Sequence, residues 1–445
     1  MTSTPIKASK RPTLYLILAC CMGAMVSNGV VNMTYASVNI PATVIQQFVN
    51  SSFYDHYNYY LADSDFQTLW GFVISVASLT SVFSAPTVSF FTEKFGRKTT
   101  VFVIMGCINL VSAILMGVAK PANSWELLLI GRILSGFVSG VTTAALTMYI
   151  TECSPPSQRA MLGTFLSASA CVMLWFTYVI TLPQILGTAE CWNYVYFIQA
   201  ALTLLILLST PFFPESPKYT FLKNGNKPAA KAALERLYGK GWNLQEVFTS
   251  FSREGQQTKE ATISYKDFIF QRHLRKGLTL GLLAMVGAQM TGINLLRYYS
   301  TTTLKSILQD EPNSENIANY VTVVEFFPPI VWPFLFAMIS ERFGRRVVFL
   351  GAMTAMVLSN AIFVVFGEIN YYTANSWAVY IALAAQVIAI QIFNMGPPSV
   401  IIAYLYKELP ETKGIPVDKV VEQWMEMAKV HDKNVKNERL FIQRF

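Results

Sequence analysis

An all-α protein that crosses a membrane many times is the fold class this sequence predicts, on three observations. Hydrophobic residues make up 53% of the 445 and charged residues only 13%. That is about half the charged share of an ordinary soluble domain, too little to cover a water-facing surface of this size. Ten apolar stretches reach the ~20 residues that a helix needs to span a hydrocarbon core. Lys and Arg, 34 against 26 Asp and Glu, gather between alternate stretches rather than on one face beside a normal core. That distribution argues against a nucleic-acid partner.

The ten spans are 13–35, 67–90, 99–119, 125–151, 161–182, 192–213, 277–303, 319–340, 347–367 and 376–406. The first follows Lys7, Lys10 and Arg11. With nine more spans behind it and no small-residue cleavage site at a suitable distance, it reads as a retained signal-anchor. The expected plan is a cytoplasmic head (1–12), a six-helix N-terminal bundle (13–213), a cytoplasmic helical loop (214–276), a four-helix C-terminal bundle (277–406) and a cytoplasmic tail (407–445). Within the loop, Lys227–Lys240 (KPAAKAALERLYGK) has the spacing of a short amphipathic helix with a basic face. In the tail, Val417, Val420, Val421 and Trp424 recur at helical spacing.

Orientation follows from the basic residues. With the N-terminus inside, the inner segments hold 30 of the 34 Lys and Arg; the outer loops hold only Lys120 and Lys305, and Arg132 and Arg297 lie within spans. The first outer loop, 36–66, has no Lys or Arg and carries the sequon Asn50-Ser51-Ser52, so Asn50 is a candidate glycosylation site on the far side. Six Cys, mostly in apolar runs, and three scattered His (His56, His273, His431) suggest neither a disulfide framework nor a metal site. No nucleophile–base constellation or phosphate-cradling loop is visible, so neither an enzyme nor a cofactor is expected.

An internal repeat organises the spans. Thr92-Glu93-Lys94-Phe95-Gly96-Arg97-Lys98 follows the second, and Ser340-Glu341-Arg342-Phe343-Gly344-Arg345-Arg346 follows the eighth. Duplicated six-helix halves around a cavity are a secondary-transporter architecture. Each Gly permits a sharp return, and the Arg after it can pair with a carboxylate at a neighbouring helix end. Glu152 and Arg159, in the YITECSPPSQRA stretch, and Glu215, in PESPK, stand at such ends. Glu93, Arg97, Glu152, Arg159, Glu215, Glu341 and Arg345 therefore form either a conformational-switch network at the inner face or a set of merely interfacial charges. Gly131, Gly136 and Gly140 suit close helix packing; Arg132 among them is not explained by packing.

Together these motifs resemble the sugar porter branch of the major facilitator superfamily, the branch of the glucose facilitators. The resemblance rests on the two Gly-Arg turns, GRILSGFVSG at 131–140, YITECSPPSQRA at 149–160, PESPK at 214–218, AQMTGINLLRYYS at 288–300 and PETKG at 410–414. It implies two six-helix bundles rocking about a central cavity, a hexose-like sugar or polyol as the solute, and a multi-pass protein of the plasma membrane. It also implies substrate-binding roles for Gln289 and Asn294, for Ser167 and Asn394 where the family has other polar residues, and gating roles for Tyr298 and Tyr299. The site departs from the family pattern at Ala288, Ser167, Pro329 and Asn394, and near Ile401-Ile402, where an aromatic is replaced.

Arg297 stands mid-span, where a charge is costly unless it is paired or wet. Two readings stay open: a cavity residue that attracts an organic anion, and a structural pair with Glu325. Proton symporters of the family carry an acidic residue in the outer half of the first span. Here the aligned position is Thr34 and no Asp or Glu lies between Asn28 and Asn39, so facilitated diffusion is expected, with Glu325 the remaining candidate proton site. The repeat also exposes a shortfall. Glu408-Leu409-Pro410 runs directly into Glu411-Thr412-Lys413-Gly414, where the family inserts two further spans, so the eleventh and twelfth helices are expected to be missing. That shortfall suggests an alternative function: a non-transporting isoform that senses or regulates by associating with a full-length sibling.

Overall fold

The computed structural model describes residues 13–25, 29–155, 158–239, 244–260, 300–305, 313–327, 345–373 and 376–395, with single residues at 279, 282, 286 and 342. Every regular element among them is helical, as the composition demands. They fall into two compact units, residues 1–256 with 297–334, and residues 257–296 with 335–445.

The first unit begins with α1 (Leu14–Ala24), capped by the Thr13 hydroxyl, which accepts from the Leu16 N–H at 3.2 Å. Next comes α2 (Val30–Ala36). The segment 36–66 carries a helix of its own, α3 (Ala42–Tyr57), held down by the buried Ser52 hydroxyl. That hydroxyl donates to the Asn123 carbonyl (2.7 Å) and accepts from the Trp125 N–H (3.1 Å). Helix α4 (Asp63–Ser84) opens with Asp63 and Asp65 in its first turn, where a helix favours carboxylates. It passes through a 3₁₀ turn, Ala85–Thr87, into α5 (Val88–Phe95). A π-helical stretch, Thr99–Ile104, leads into α6 (Met105–Ala119), followed by α7 (Trp125–Cys153), α8 (Arg159–Ile180) and α9 (Tyr194–Ser209). Four of the described apolar helical runs are long enough to cross a membrane: Asp63–Phe95, Thr99–Ala119, Trp125–Cys153 and Tyr194–Phe212.

Helix α7 is the centre of this unit, packing against α4 on one side and α6 on the other, while α6 also packs on α9 and α8 lies against α1 and α2. The α4–α7 crossing is close enough that a Cβ on Gly136 would stand 2.1 Å from the Ala77 carbonyl oxygen. In a bilayer, where apolar side chains gain little by leaving lipid, such backbone proximity is what holds helices together.

At one end of the unit three short helices form a cap: α10 (Pro217–Leu222), α11 (Lys227–Tyr238) and α12 (Leu244–Glu260). Their boundaries follow from the sequence. Ser216 caps the Tyr219 N–H with Pro217 opening the helix, Asn226 caps the Ala229 N–H, and Gly239 ends α11 at φ 77°. The cap's apolar face, Leu234, Leu237, Val247, Phe248 and Phe251, joins one core with Leu16, Cys20, Phe102, Tyr149 and Cys153. The Thr13 hydroxyl donates to the Leu237 carbonyl at 2.6 Å, tying α11 to the start of α1. At the other end, α13 (Ser314–Glu325) packs on α8, with Phe326 4.7 Å from Tyr178 and Phe327 5.3 Å from Trp175 between ring centroids.

In the second unit α14 (Arg345–Thr373) and α15 (Ser376–Met395) pack along each other. Ser359 donates to the Ala385 carbonyl (2.7 Å) and Phe366 meets Trp377 (5.9 Å), an antiparallel register. The junction at Leu409–Pro410 and the tail lie outside the described residues.

The glycine crossing generates a test with an internal control. Gly136→Ala should lower stability by about 3 kcal/mol, because the new methyl meets backbone that cannot swing away. Gly71→Ala, with open space around its Cβ, should be neutral or stabilising by up to about 1 kcal/mol. Melting temperatures in detergent compare the two; equal values would show that the close approach contributes nothing.

Candidate functional site

Three polar layers cross the first unit. The first is the charge cluster at the capped end. Gly96 ends α5 at φ 92°, a left-handed conformation that side chains avoid, and a Cβ there would also lie 2.5 Å from a Glu215 oxygen. The turn aims Arg97 at Glu152, at the end of α7, with Nε 3.0 Å from Oε2 and Nη2 3.1 Å from Oε1. Nη1 donates to the Thr92 carbonyl (3.2 Å), and the guanidinium lies 4.9 Å from the Tyr219 ring centroid. Ser216 donates its hydroxyl to the same Glu152.

Glu215 is placed differently from the ion pair. It accepts from the backbone N–H groups of Lys98 (2.8 Å), Thr99 (3.4 Å) and Ser216 (2.8 Å), so its carboxylate caps the start of the next membrane helix. Burial pushes its carboxyl above the ordinary carboxylate range, and these N–H donors pull it back. Glu93 is exposed beside them and contributes its backbone carbonyl to the Tyr219 hydroxyl (3.3 Å). Arg159 is also exposed, and its Nε donates to the Ser154 carbonyl (3.3 Å). No described carboxylate pairs with it. The described ion pair within the expected network is thus Arg97 with Glu152; Glu341 lies outside the described residues, and Arg345 opens α14 with its side chain undescribed.

The second layer explains Arg132, which is 0% exposed. Its Nε donates to the Val73 carbonyl (2.7 Å), Nη2 to Ile74 (2.8 Å) and Nη1 to Thr34 (3.0 Å). One side chain of α7 thereby clamps backbone of α4 and α2. The Thr34 hydroxyl is itself enclosed. Ser135 donates to it at 3.0 Å and Gln199 Nε2 at 2.9 Å, and Gln199 reaches Asn109, which bonds Thr203 at 3.0 Å.

A third layer lies toward the opposite end. Asn39 Nδ2 donates to the Ser300 hydroxyl (3.2 Å), which is 3.2 Å from the Thr322 hydroxyl; Thr301 is 3.1 Å from the same Thr322. All four are buried. The chain links the segment just after the first span to 300–305 and α13, beside the Tyr178–Phe326 and Trp175–Phe327 pairs. Glu325 ends α13, fully buried.

Of the expected substrate residues, Ser167 is exposed on α8, and Asn394 sits in α15 with its side chain undescribed. Gln289, Asn294, Arg297, Tyr298 and Tyr299 lie outside the described residues. Asn50 is half-buried on α3, with the last residue of its sequon, Ser52, buried in the fold.

Residues 19–414 match the family profile described as "Sugar (and other) transporter". The chain belongs to that family. It is 29% identical over 424 residues to the mouse solute carrier family 2, facilitated glucose transporter member 7, an alignment covering 94% of this chain and 80% of the relative. Human facilitated glucose transporter member 5 is 29% identical over 401 residues, covering 90% and 78%. Among solved structures it resembles the proton:xylose symporter XylE bound to 6-bromo-6-deoxy-D-glucose, with a TM-score of 0.68, 18% identity, and 95% and 89% of the two chains covered. It also resembles a partially occluded, inward-open form of XylE from E. coli, with a TM-score of 0.65, 18% identity, and 93% and 89% covered. The fold is therefore the all-helical major-facilitator type, in a transporter family and not an enzyme.

Within this sugar-transporter frame the sequence locates Arg97, Glu152 and Glu215 and marks Thr34, and the structure adds Asn39, Gln199 and Ser300. A signal exists for Gln199 and Ser300, polar side chains inside apolar stretches, and not for Asn39, which lies in the segment 36–66. What sequence alone withholds is which of them meet.

Because the Arg97–Glu152 pair is mostly shielded from water, it should be measurable. Arg97→Gln and Glu152→Gln should each lower the melting temperature in detergent, and a double-mutant cycle should return a coupling of about 1–2 kcal/mol. Strictly additive losses would show that the pair holds nothing together.

Proposed function

We propose that the protein is a facilitative carrier, a uniporter that moves a hexose-like sugar or polyol by alternating access. It lies in the plasma membrane with both termini at the cytoplasmic face, in a form shortened by two helices. The observation that carries the uniport reading is the surroundings of Arg132. Three of its donors are taken by backbone carbonyls of Val73, Ile74 and Thr34, the side chain that meets it is the Tyr196 hydroxyl, and Thr34 itself carries a hydroxyl rather than a carboxylate. A carboxylate beside a buried guanidinium can exchange a proton as solute comes and goes; a threonine cannot.

The sugar reading is supported by the family and by relatives named as facilitated glucose transporters. The shortened form is supported by the sequence joining Leu409 directly to Pro410 and by a match to the mouse relative that spans 80% of its length. The orientation is supported by the 30 Lys and Arg of the inner segments. The hydrogen-bond chain from Asn39 to Thr322 acts as the outer closure, and the Arg97–Glu152 pair steadies the inner end.

Uptake of labelled glucose, fructose and myo-inositol into proteoliposomes tests the reading, with the chain as it stands and with the two missing helices restored. Flux down a gradient should be nearly unchanged between about pH 5.5 and 7.5 and insensitive to a proton ionophore. Thr34→Asp, which sets a titratable group beside Arg132, should make uptake pH-dependent across that window. Solute-driven proton movement in the parent protein would overturn uniport. No flux in either form, with the shortened chain recovered bound to its full-length sibling, would replace the carrier with a regulator.

A further inference from the structure

A cavity of about 190 Å³ opens at the capped end of the first unit, lined by Glu93, Arg97, Lys218, Tyr219, Leu222 and Lys223. The transport reading uses Arg97 but leaves the cavity and its two lysines without a role. We propose that this cavity binds a phosphate-bearing anion, either the headgroup of an anionic lipid or a free phosphate. The proposal needs only that the chain lies in a bilayer, not any particular solute.

Charge is the first ground. Three cations line the cavity against one carboxylate, and that carboxylate, Glu93, is exposed. The acids that face these cations from neighbouring elements are Glu152, paired with Arg97, and Glu254 of α12, 2.6 Å from Lys218 Nζ. Glu254 is itself nearly half exposed, so an incoming anion can share Lys218 with it at little cost. Lys223 has no carboxylate partner among the described residues and brings the uncompensated charge. Tyr219 contributes a rigid wall, since its ring is held under the Arg97 guanidinium and its hydroxyl bonds the Glu93 carbonyl.

Position is the second ground. Leu222, an exposed apolar side chain, is part of the lining, and the adjoining helix α5 exposes Phe90 and Phe95. Lys94 Nζ lies 5.2 and 5.4 Å from those two ring centroids. Exposed rings with a lysine curled over them mark the depth at which hydrocarbon gives way to headgroups. At that depth a cavity with cations on its walls and an apolar lip fits a phosphate attached to an acyl glycerol better than a fully hydrated ion, and juxtamembrane lysines attract anionic lipid.

Binding to the full-length protein in detergent tests the site, with dioctanoyl phosphatidic acid and inorganic phosphate titrated separately and followed by thermophoresis. Dioctanoyl phosphatidic acid should bind saturably. Lys218→Ala with Lys223→Ala should weaken it about thirtyfold, the loss of two juxtamembrane charges. Lys227→Ala with Lys231→Ala removes the same charge outside the cavity and should leave affinity within about twofold. Both cavity lysines are on the surface, and Lys218→Arg with Lys223→Arg, which restores the charge, should recover binding. Saturation by phosphatidic acid alone assigns the site to lipid; comparable saturation by inorganic phosphate assigns it to the free ion. Absence of binding by either, or an equal loss in the two alanine doubles, would overturn the site.

Discussion

A guanidinium buried inside a membrane bundle cannot shed its charge, and the packing of the first unit depends on how Arg132 is accommodated. Hydrocarbon offers it no hydrogen bonds and no described carboxylate stands within reach, so its donors are met by carbonyl oxygens of Val73, Ile74 and Thr34. Those oxygens belong to two different helices, so the solution fixes three helices at once. Helix α7 must approach α4 within hydrogen-bonding reach of its backbone, and α2 must close from another side. Gly136, one turn along α7, makes that approach sterically possible by putting no side chain between itself and the Ala77 carbonyl. Charge and glycine are thus two halves of one device. The glycine permits the contact, and the arginine makes separating the helices expensive, since separation would strand a cation in hydrocarbon.

The charges at the capped end obey different rules because water is near. Arg97 and Glu152 are partly shielded and joined by one hydrogen bond and a second close N–O contact, strong enough to order the turn yet able to be solvated if they part. Glu215 works through dipoles instead, spending its oxygens on the Lys98 and Thr99 N–H groups that open the next membrane helix and on the N–H of Ser216. That use would be impossible with any side chain at Gly96, whose Cβ would occupy the Glu215 carboxylate. One glycine therefore serves two ends: it turns the chain and makes room for the acid that caps the succeeding helix. The three cap helices close over this cluster with apolar faces continuous with the membrane core, which couples the loop after the sixth span to the beginning of the first.

The all-helical class and the family were legible because both are written in local terms. Span length, loop charge and short motifs such as PESPK need no knowledge of what touches what. The motif set of the Gly-Arg turn, YITECSPPSQRA and PESPK named Arg97, Glu152 and Glu215 for the same reason, since each sits at a helix end whose position its motif fixes. It did not say that Glu215 meets backbone while Glu152 meets the guanidinium, because both are carboxylates at helix ends and only the three-dimensional path of α10 distinguishes them. Arg132 was visible as an anomaly and not as a clamp, because its partners are carbonyls, which every residue possesses and no sequence marks. Asn39 and Ser300 are further apart still: their meeting joins chain segments 261 residues apart, a pairing that no periodicity encodes. The segment 36–66 shows the opposite limit, since α3 is held by Ser52 and by aromatic packing of Phe53 on Trp125 rather than by a membrane-length apolar run.

The two places where an acid would matter for coupling now differ in kind. At Thr34 the hydroxyl is consumed by Ser135 and Gln199, and the adjoining guanidinium meets backbone carbonyls and the Tyr196 hydroxyl, so the described side chains of that layer include no carboxylate. Glu325 ends α13 one turn beyond Thr322 and on the same helix face, so it lies beside the hydrogen-bond chain from Asn39 to Thr322. A buried carboxyl at a closure is favoured in one protonation state while the closure holds and loses that preference when water enters. Such a group can tune how readily that end of the unit opens without moving a proton across the membrane, because transfer requires access from each side in turn. Uniport and a buried acid are therefore compatible in this chain. What separates a tuned closure from a coupled proton is access from the opposite face, and the described side chains of the Thr34 layer are amides, hydroxyls and a permanently charged guanidinium.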